Sequence, residues 1–94
     1  MITNNADIEL KSREIFLSLG FSLVQINGHS VYEFEGNYYM FSFVSGLNGF
    51  VIESALSLSD AKKNLYEDSD LIPIDKDEED FLITLKDLLI KYYV

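Results

Sequence analysis

Hydrophobic positions change period twice along this chain. Near the N-terminus Ile8, Ile15, Phe16 and Leu19 recur at helical spacing, behind a first turn that carries Asp7 and Glu9. Negative side chains there favour the positive end of the helix dipole, and Asn4 or Asn5 can supply the cap. Gly20 stands where a left-handed C-terminal cap belongs, so the spacing predicts a helix over about 5–19.

From Phe21 the pattern becomes short runs of β-branched and aromatic residues separated by turn residues: Phe21–Ile26, Val31–Glu35, Tyr38–Val44 and Phe50–Leu56. Asn27-Gly28 lies between the first two and readily supplies the positive φ angles of a tight hairpin turn. Gly36-Asn37 can do the same for the second connection, and Ser45-Gly46-Leu47-Asn48-Gly49 makes a longer third one. Connections this short allow only antiparallel neighbours, so the runs predict a four-stranded meander. Tyr38 to Val44 is apolar on both alternating faces and wants cover on both sides. Val31 to Glu35 sets Glu33 and Glu35 opposite Tyr32 and Phe34, which leaves the second face of the sheet only partly covered.

Helical period returns late in the chain. Ser57 or Ser59 can start a short helix through Asp60-Ala61-Lys62-Lys63-Asn64-Leu65, and Tyr66 to Asp75, with Pro73, reads as a loop and hinge. Asp75 and Glu78 have the spacing of a capping box before a stripe of Phe81, Leu85, Leu88 and Tyr92, widened by Leu82 and Leu89. Lys86 and Lys91 suit the negative end of the dipole, and the helix is predicted over about 76–92. The whole describes one α+β domain over residues 1–94: an N-terminal helix, a four-stranded antiparallel meander, a short helix and a long C-terminal helix. Phe16, Leu19, Phe41, Phe43, Ile52, Phe81, Leu85 and Leu88 are its expected core.

Composition sharpens this picture. Hydrophobic residues make up 48% of the 94 and charged residues 24%, the balance of a folded chain large enough for one core. No apolar run reaches membrane-spanning length and the first residues have no signal-peptide pattern, which predicts a cytoplasmic protein with no membrane partner. Without cysteine, disulfides and thiolate metal sites are excluded.

Sixteen Asp and Glu against seven Lys and Arg give a net charge of −9, which repels phosphate backbones and argues against direct nucleic-acid binding. Half of the acids, Glu67, Asp68, Asp70, Asp75, Asp77, Glu78, Glu79 and Asp80, fall in one stretch with Lys76 as its only base. A solvated helix start accounts for two or three acids in a first turn, but not for eight spread over loop and helix. A binding surface for a basic protein is the second reading, and the two are compatible. Asp68 and Asp70 are its first choices for direct contact, Asp77, Glu79 and Asp80 follow as steering charges, and Tyr66 offers apolar area with a hydrogen-bonding tip. Tyr38, Tyr66 and Tyr93 are expected at least partly exposed.

Catalytic chemistry finds little support. His29 is the only histidine and follows Asn27-Gly28 in a turn, so neither a histidine-pair metal site nor a Cys–His dyad can be built, and no nucleophile elbow or phosphate-binding glycine loop is present. Calcium loops fail as well: counted from Asp68 the sixth position is Pro73, and counted from Asp75 the sixth is Asp80 and the twelfth Lys86. No catalytic residue, metal or cofactor is expected.

The segment Ala61-Lys62-Lys63-Asn64-Leu65-Tyr66-Glu67-Asp68-Ser69-Asp70-Leu71-Ile72-Pro73, after an aromatic β meander in a cysteine-free acidic chain, resembles bacterial immunity proteins, the inhibitors of polymorphic and contact-dependent growth-inhibition toxins. That resemblance implies a protein that masks the active site or substrate surface of a basic toxin nuclease, with Asp and Glu standing in for phosphates; a monomer or weak homodimer is expected. Phage-type nucleic-acid mimics, as in anti-restriction or anti-CRISPR proteins, and antitoxins without a DNA-binding segment are the alternatives among binders; a small enzyme is the alternative from another class, and a homo-oligomeric structural module is a third.

Overall fold

Helix α1 (Asn5–Ser18) buries Ile8, Ser12 and Phe16 along one stripe, in a computed structural model that describes residues 5–75 and 77–94. The cap expected at Asn4 and the helix start expected at Lys76 lie outside the described residues. At the end of α1 the Phe21 amide donates to the Phe16 carbonyl and the Gly20 amide to that of Leu17, each at 3.1 Å, with Gly20 at φ +100°. This paired closure turns the chain sharply and brings the Phe21 ring edge-on to Phe16, centroids 5.1 Å apart.

Five antiparallel strands follow in simple meander order: β1 (Ser22–Ile26), β2 (His29–Phe34), β3 (Asn37–Val44), β4 (Gly49–Ala55) and β5 (Glu67–Pro73). The β1–β2 turn is Asn27-Gly28 as expected, both residues at positive φ. The second turn is Glu35-Gly36 rather than Gly36-Asn37, one residue earlier, because the Glu33 carboxylate accepts the Gly36 amide at 2.9 Å and holds Glu35 at φ +52°. A 3-10 turn (Ser45–Leu47) joins β3 to β4.

The sheet therefore has five strands where four were expected. The segment read as a loop and hinge is instead the edge strand β5, in register with β4 from Gly49↔Pro73 to Ser54↔Glu67. An edge strand tolerates both its acids and its proline, since one row of its backbone groups faces solvent. Gly49 permits the pairing, for a Cβ there would meet the Ile72 carbonyl oxygen at 2.7 Å.

Both long helices cover one face of the sheet. Phe16 stacks on Tyr32 with centroids 4.0 Å apart, Phe50 stacks on Phe41, and Phe81 of α3 (Glu78–Tyr92) meets Phe50 edge-on at 5.4 Å. Each such aromatic pair adds about 0.5–1.5 kcal/mol beyond area burial. Of the expected core, Phe16, Ile52, Phe81 and Leu85 are buried, while Leu19, Phe41, Phe43 and Leu88 pack half-buried against it. The buried stripe of α3 is Phe81, Leu85 and Leu89; Tyr92, expected in it, is exposed, and Tyr93 turns inward instead.

Helix α2 (Leu58–Lys62) covers only part of the opposite face, where Ala61 packs with Ile26, Val31 and Ala55. The rest of that face stays open beyond Val24 and Met40, in line with the polar alternation of β2. No helix among the described residues is long and apolar enough to cross a membrane.

Candidate functional site

Where α2 meets the β5 edge the chain forms an open groove of about 610 Å³. Its acidic lining is Asp60, Glu67 and Asp68; Leu56, Leu65 and Tyr66 supply the apolar part, with Ser54 and Ser69 on the floor. Leu56 and Leu65 are 75% and 57% exposed, unusual freedom for two leucines beside one another in one depression.

Local capping fixes the α2 wall. The Ser57 hydroxyl accepts the Asp60 amide at 3.1 Å. At the other end the Leu65 amide donates to the Asp60 carbonyl at 2.9 Å and the Asn64 amide to that of Ala61 at 3.1 Å, with Asn64 left-handed at φ +59°. The Asn27 side-chain amide also donates to the Lys62 carbonyl at 2.8 Å, tying α2 to the β1–β2 turn. A helix of five residues would fray alone; these bonds hold Asp60 and Leu65 in place.

A bulge sets the β5 wall. The register steps between Ile52 and Glu53, so Ile52 faces Asp70 and Glu53 faces Asp68, with Ser69 extra. Beyond the bulge Ile72 enters the helix-side core, and Asp70 is drawn to the same side, where its carboxylate accepts the Tyr93 hydroxyl at 2.5 Å. Before the bulge Asp68 lies directly opposite Glu53, and the Ser69 hydroxyl meets that of Ser54. Like charges at directly opposed positions of a sheet repel. No ion pair neutralises Glu53, Asp60, Glu67 or Asp68 among the described residues.

The phenols beside this region are held protonated. Burial, then the bond to Asp70 and its negative charge, push the Tyr93 hydroxyl far above the usual tyrosine range. Burial and then the Glu53 charge raise Tyr66 as well. Both therefore present a neutral hydroxyl at physiological pH.

The eight clustered acids thus divide. Glu67, Asp68 and the half-buried Tyr66 come together in the groove. Asp70, a first choice for contact, is half-buried and engaged by Tyr93. Asp77 is the N-cap of α3, accepting the Asp80 amide at 2.8 Å, a part the sequence reading gave to Asp75. Glu78 receives Lys11 of α1 at 2.7 Å, and that lysine also meets Asp7 at 3.2 Å. The bonds to Glu78 and Asp7 raise the Lys11 ammonium above its ordinary value. Glu79 and Asp80 stand exposed in the first turn of α3 and line no part of the groove. Sequence reasoning missed Asp60, Leu56 and Leu65 as groove residues and Glu53 as the residue opposite Asp68, because only pairing of the β5 segment with β4 sets Glu67 and Asp68 beside them.

His29 is exposed, as expected, but as the first residue of β2 and not in the turn, because it pairs with Ile26; it lies beside a notch that also holds Arg13 and Tyr32. Among the described residues no three His, Asp or Glu side chains gather as metal ligands. No protein-family profile matches the chain, and neither a curated protein nor a solved structure is significantly similar to it.

Proposed function

We propose that this chain is an inhibitor that binds a basic protein in the manner of a bacterial immunity protein, neutralising a toxin nuclease in the cytoplasm, and that the groove between α2 and β5 receives the partner. The observation that carries the reading is the acidic lining of the groove, Asp60, Glu67 and Asp68, with Glu53 on the neighbouring strand opposite Asp68 and no ion pair among the described residues to offset these charges. Such an arrangement opposes folding and is relieved when an arginine or lysine side chain enters. The exposed Leu56 and Leu65 and the half-buried Tyr66 give that cation's aliphatic stem an apolar wall, the combination of charge and aromatic or aliphatic anchors from which protein interfaces draw affinity. Glu79, Asp80 and the net charge of −9 steer the approach.

Binding alone accounts for this role, and no side chain is given a catalytic part. A nucleic-acid mimic is less well supported, since Asp70, Asp77 and Glu78 are engaged within the fold. The test is capture from the native cell with the wild-type chain and with Glu67→Lys/Asp68→Lys. A basic nuclease retained by the first, lost by the second and inhibited stoichiometrically by the wild type is the expected result. Equal retention by both chains, or a retained nuclease whose activity is unaffected, would overturn the proposal.

A further inference from the structure

The two edges of the sheet differ sharply. Strand β5 carries Glu67, Asp68, Asp70, Pro73 and a bulge, the devices by which natural edges resist pairing with another chain. Strand β1, Ser22-Leu23-Val24-Gln25-Ile26, carries none of them and pairs only with β2 among the described strands. No Asp, Glu, Lys or Arg occurs anywhere from Ile15 to Tyr32.

The hairpin fixes which backbone groups β1 offers. Its two-residue turn closes on the pair Ile26↔His29, so Ile26, Val24 and Ser22 exchange hydrogen bonds with β2, while the amides and carbonyls of Leu23 and Gln25 point outward. This set is self-complementary. A second copy laid antiparallel about a twofold axis at Val24 places Leu23 opposite the other copy's Gln25, and Gln25 opposite its Leu23, for four backbone hydrogen bonds.

We propose that the β1 edge is a homodimer interface, joining two copies into one continuous ten-stranded antiparallel sheet. Charge favours this edge over the other. With strands about 4.8 Å apart, pairing through β1 leaves the two acidic β5 edges on the order of 40 Å from each other, several times the Debye length of roughly 8 Å at physiological salt. The groove at β5 stays open in this dimer, so the proposal stands or falls independently of the proposed function.

Sedimentation equilibrium of the full chain from micromolar to millimolar concentration should show the mass rising from 10.8 kDa towards twice that value, more readily at higher salt. Gln25→Pro removes an outward amide and keeps every backbone bond of the β1–β2 ladder, losing only the side-chain bond from Gln25 to the Ser30 hydroxyl, and should weaken association about ten-fold or more. Amide exchange of the wild type gives a reading that needs no variant: the Leu23 and Gln25 amides should gain protection as concentration rises, while Val24 and Ile26 are protected throughout. A mass of 10.8 kDa at every concentration and salt, or concentration-dependent protection at β5 instead of β1, would overturn the proposal.

Discussion

Replacing Asp77 by alanine removes the carboxylate that accepts the Asp80 amide at 2.8 Å and one negative charge from the positive end of α3. Loss of an N-cap side chain costs about 0.5–2 kcal/mol, typically about 1. The lost charge–dipole attraction adds roughly 0.3–1 kcal/mol, towards the low end because Asp77 is exposed to solvent. Together they come to roughly 1–2 kcal/mol, a sizeable part of the stability of a small domain. At about 4–8 °C per kcal/mol, the melting temperature should fall by roughly 5–15 °C. Urea and thermal unfolding followed by far-ultraviolet circular dichroism would measure this, with two companions. Asp77→Asn keeps the capping oxygen and should recover most of the loss. Asp75→Ala, exposed and outside α3, should stay within about 0.5 kcal/mol of wild type. If Asp75→Ala destabilised as much as Asp77→Ala, the sorting of the acids into structural and available ones would be wrong.

Leu89→Ala should cost about 2–5 kcal/mol in denaturant unfolding, since Leu89 is fully buried, whereas Tyr92→Ala, 66% exposed, should cost less than about 0.5; equal losses would mean that α3 presents another face to the sheet. Burial and Asp70 raise the Tyr93 hydroxyl, so the folded chain keeps a proton that the unfolded chain gives up above about pH 10. The contribution is thus complete below that pH and is lost as pH rises towards the folded value; the extra alkaline loss of stability should be smaller in Tyr93→Phe, and an identical pH profile would deny the link between α3 and β5.

Much of the fold was legible because local signals agreed with the final packing. Gly20 and Asn27-Gly28 mark backbone turns that few other residues make, and the apolar period of α1 and α3 places their buried sides to within one residue. The exchange of Tyr92 for Tyr93 reflects that limit: adjacent helical positions differ by 100°, and two tyrosines in a row leave the choice to packing, here settled by Tyr39 and Asp70. Strand β5 was hidden for a different reason. Glu67-Asp68-Ser69-Asp70 has poor strand propensity, and Pro73 reads as a loop, yet at an edge both are tolerated. A trace of it lay in β4, whose unbroken Phe50-Val51-Ile52 is typical of a strand covered on both faces, as a central strand is more often than an edge, and in Gly49, which admits a close backbone. With β5 unrecognised, Asp68 was picked out for its position before the helix, while its opposition to Glu53 and its place beside Asp60 and Leu65 could not be seen.

The central claim is that the groove acids draw in a basic partner, and association kinetics test it most directly. The rate constant for binding the basic partner that the proposal calls for should be measured over a range of salt for the wild type, for Asp60→Lys/Glu67→Lys/Asp68→Lys, and for Glu79→Lys/Asp80→Lys, all matched by circular dichroism. The account predicts that the groove variant associates roughly ten-fold or more slowly at low salt, with a flatter salt dependence, and that the helix variant loses less. An on-rate left unchanged by reversing the groove, or reduced more by reversing Glu79 and Asp80, would contradict it.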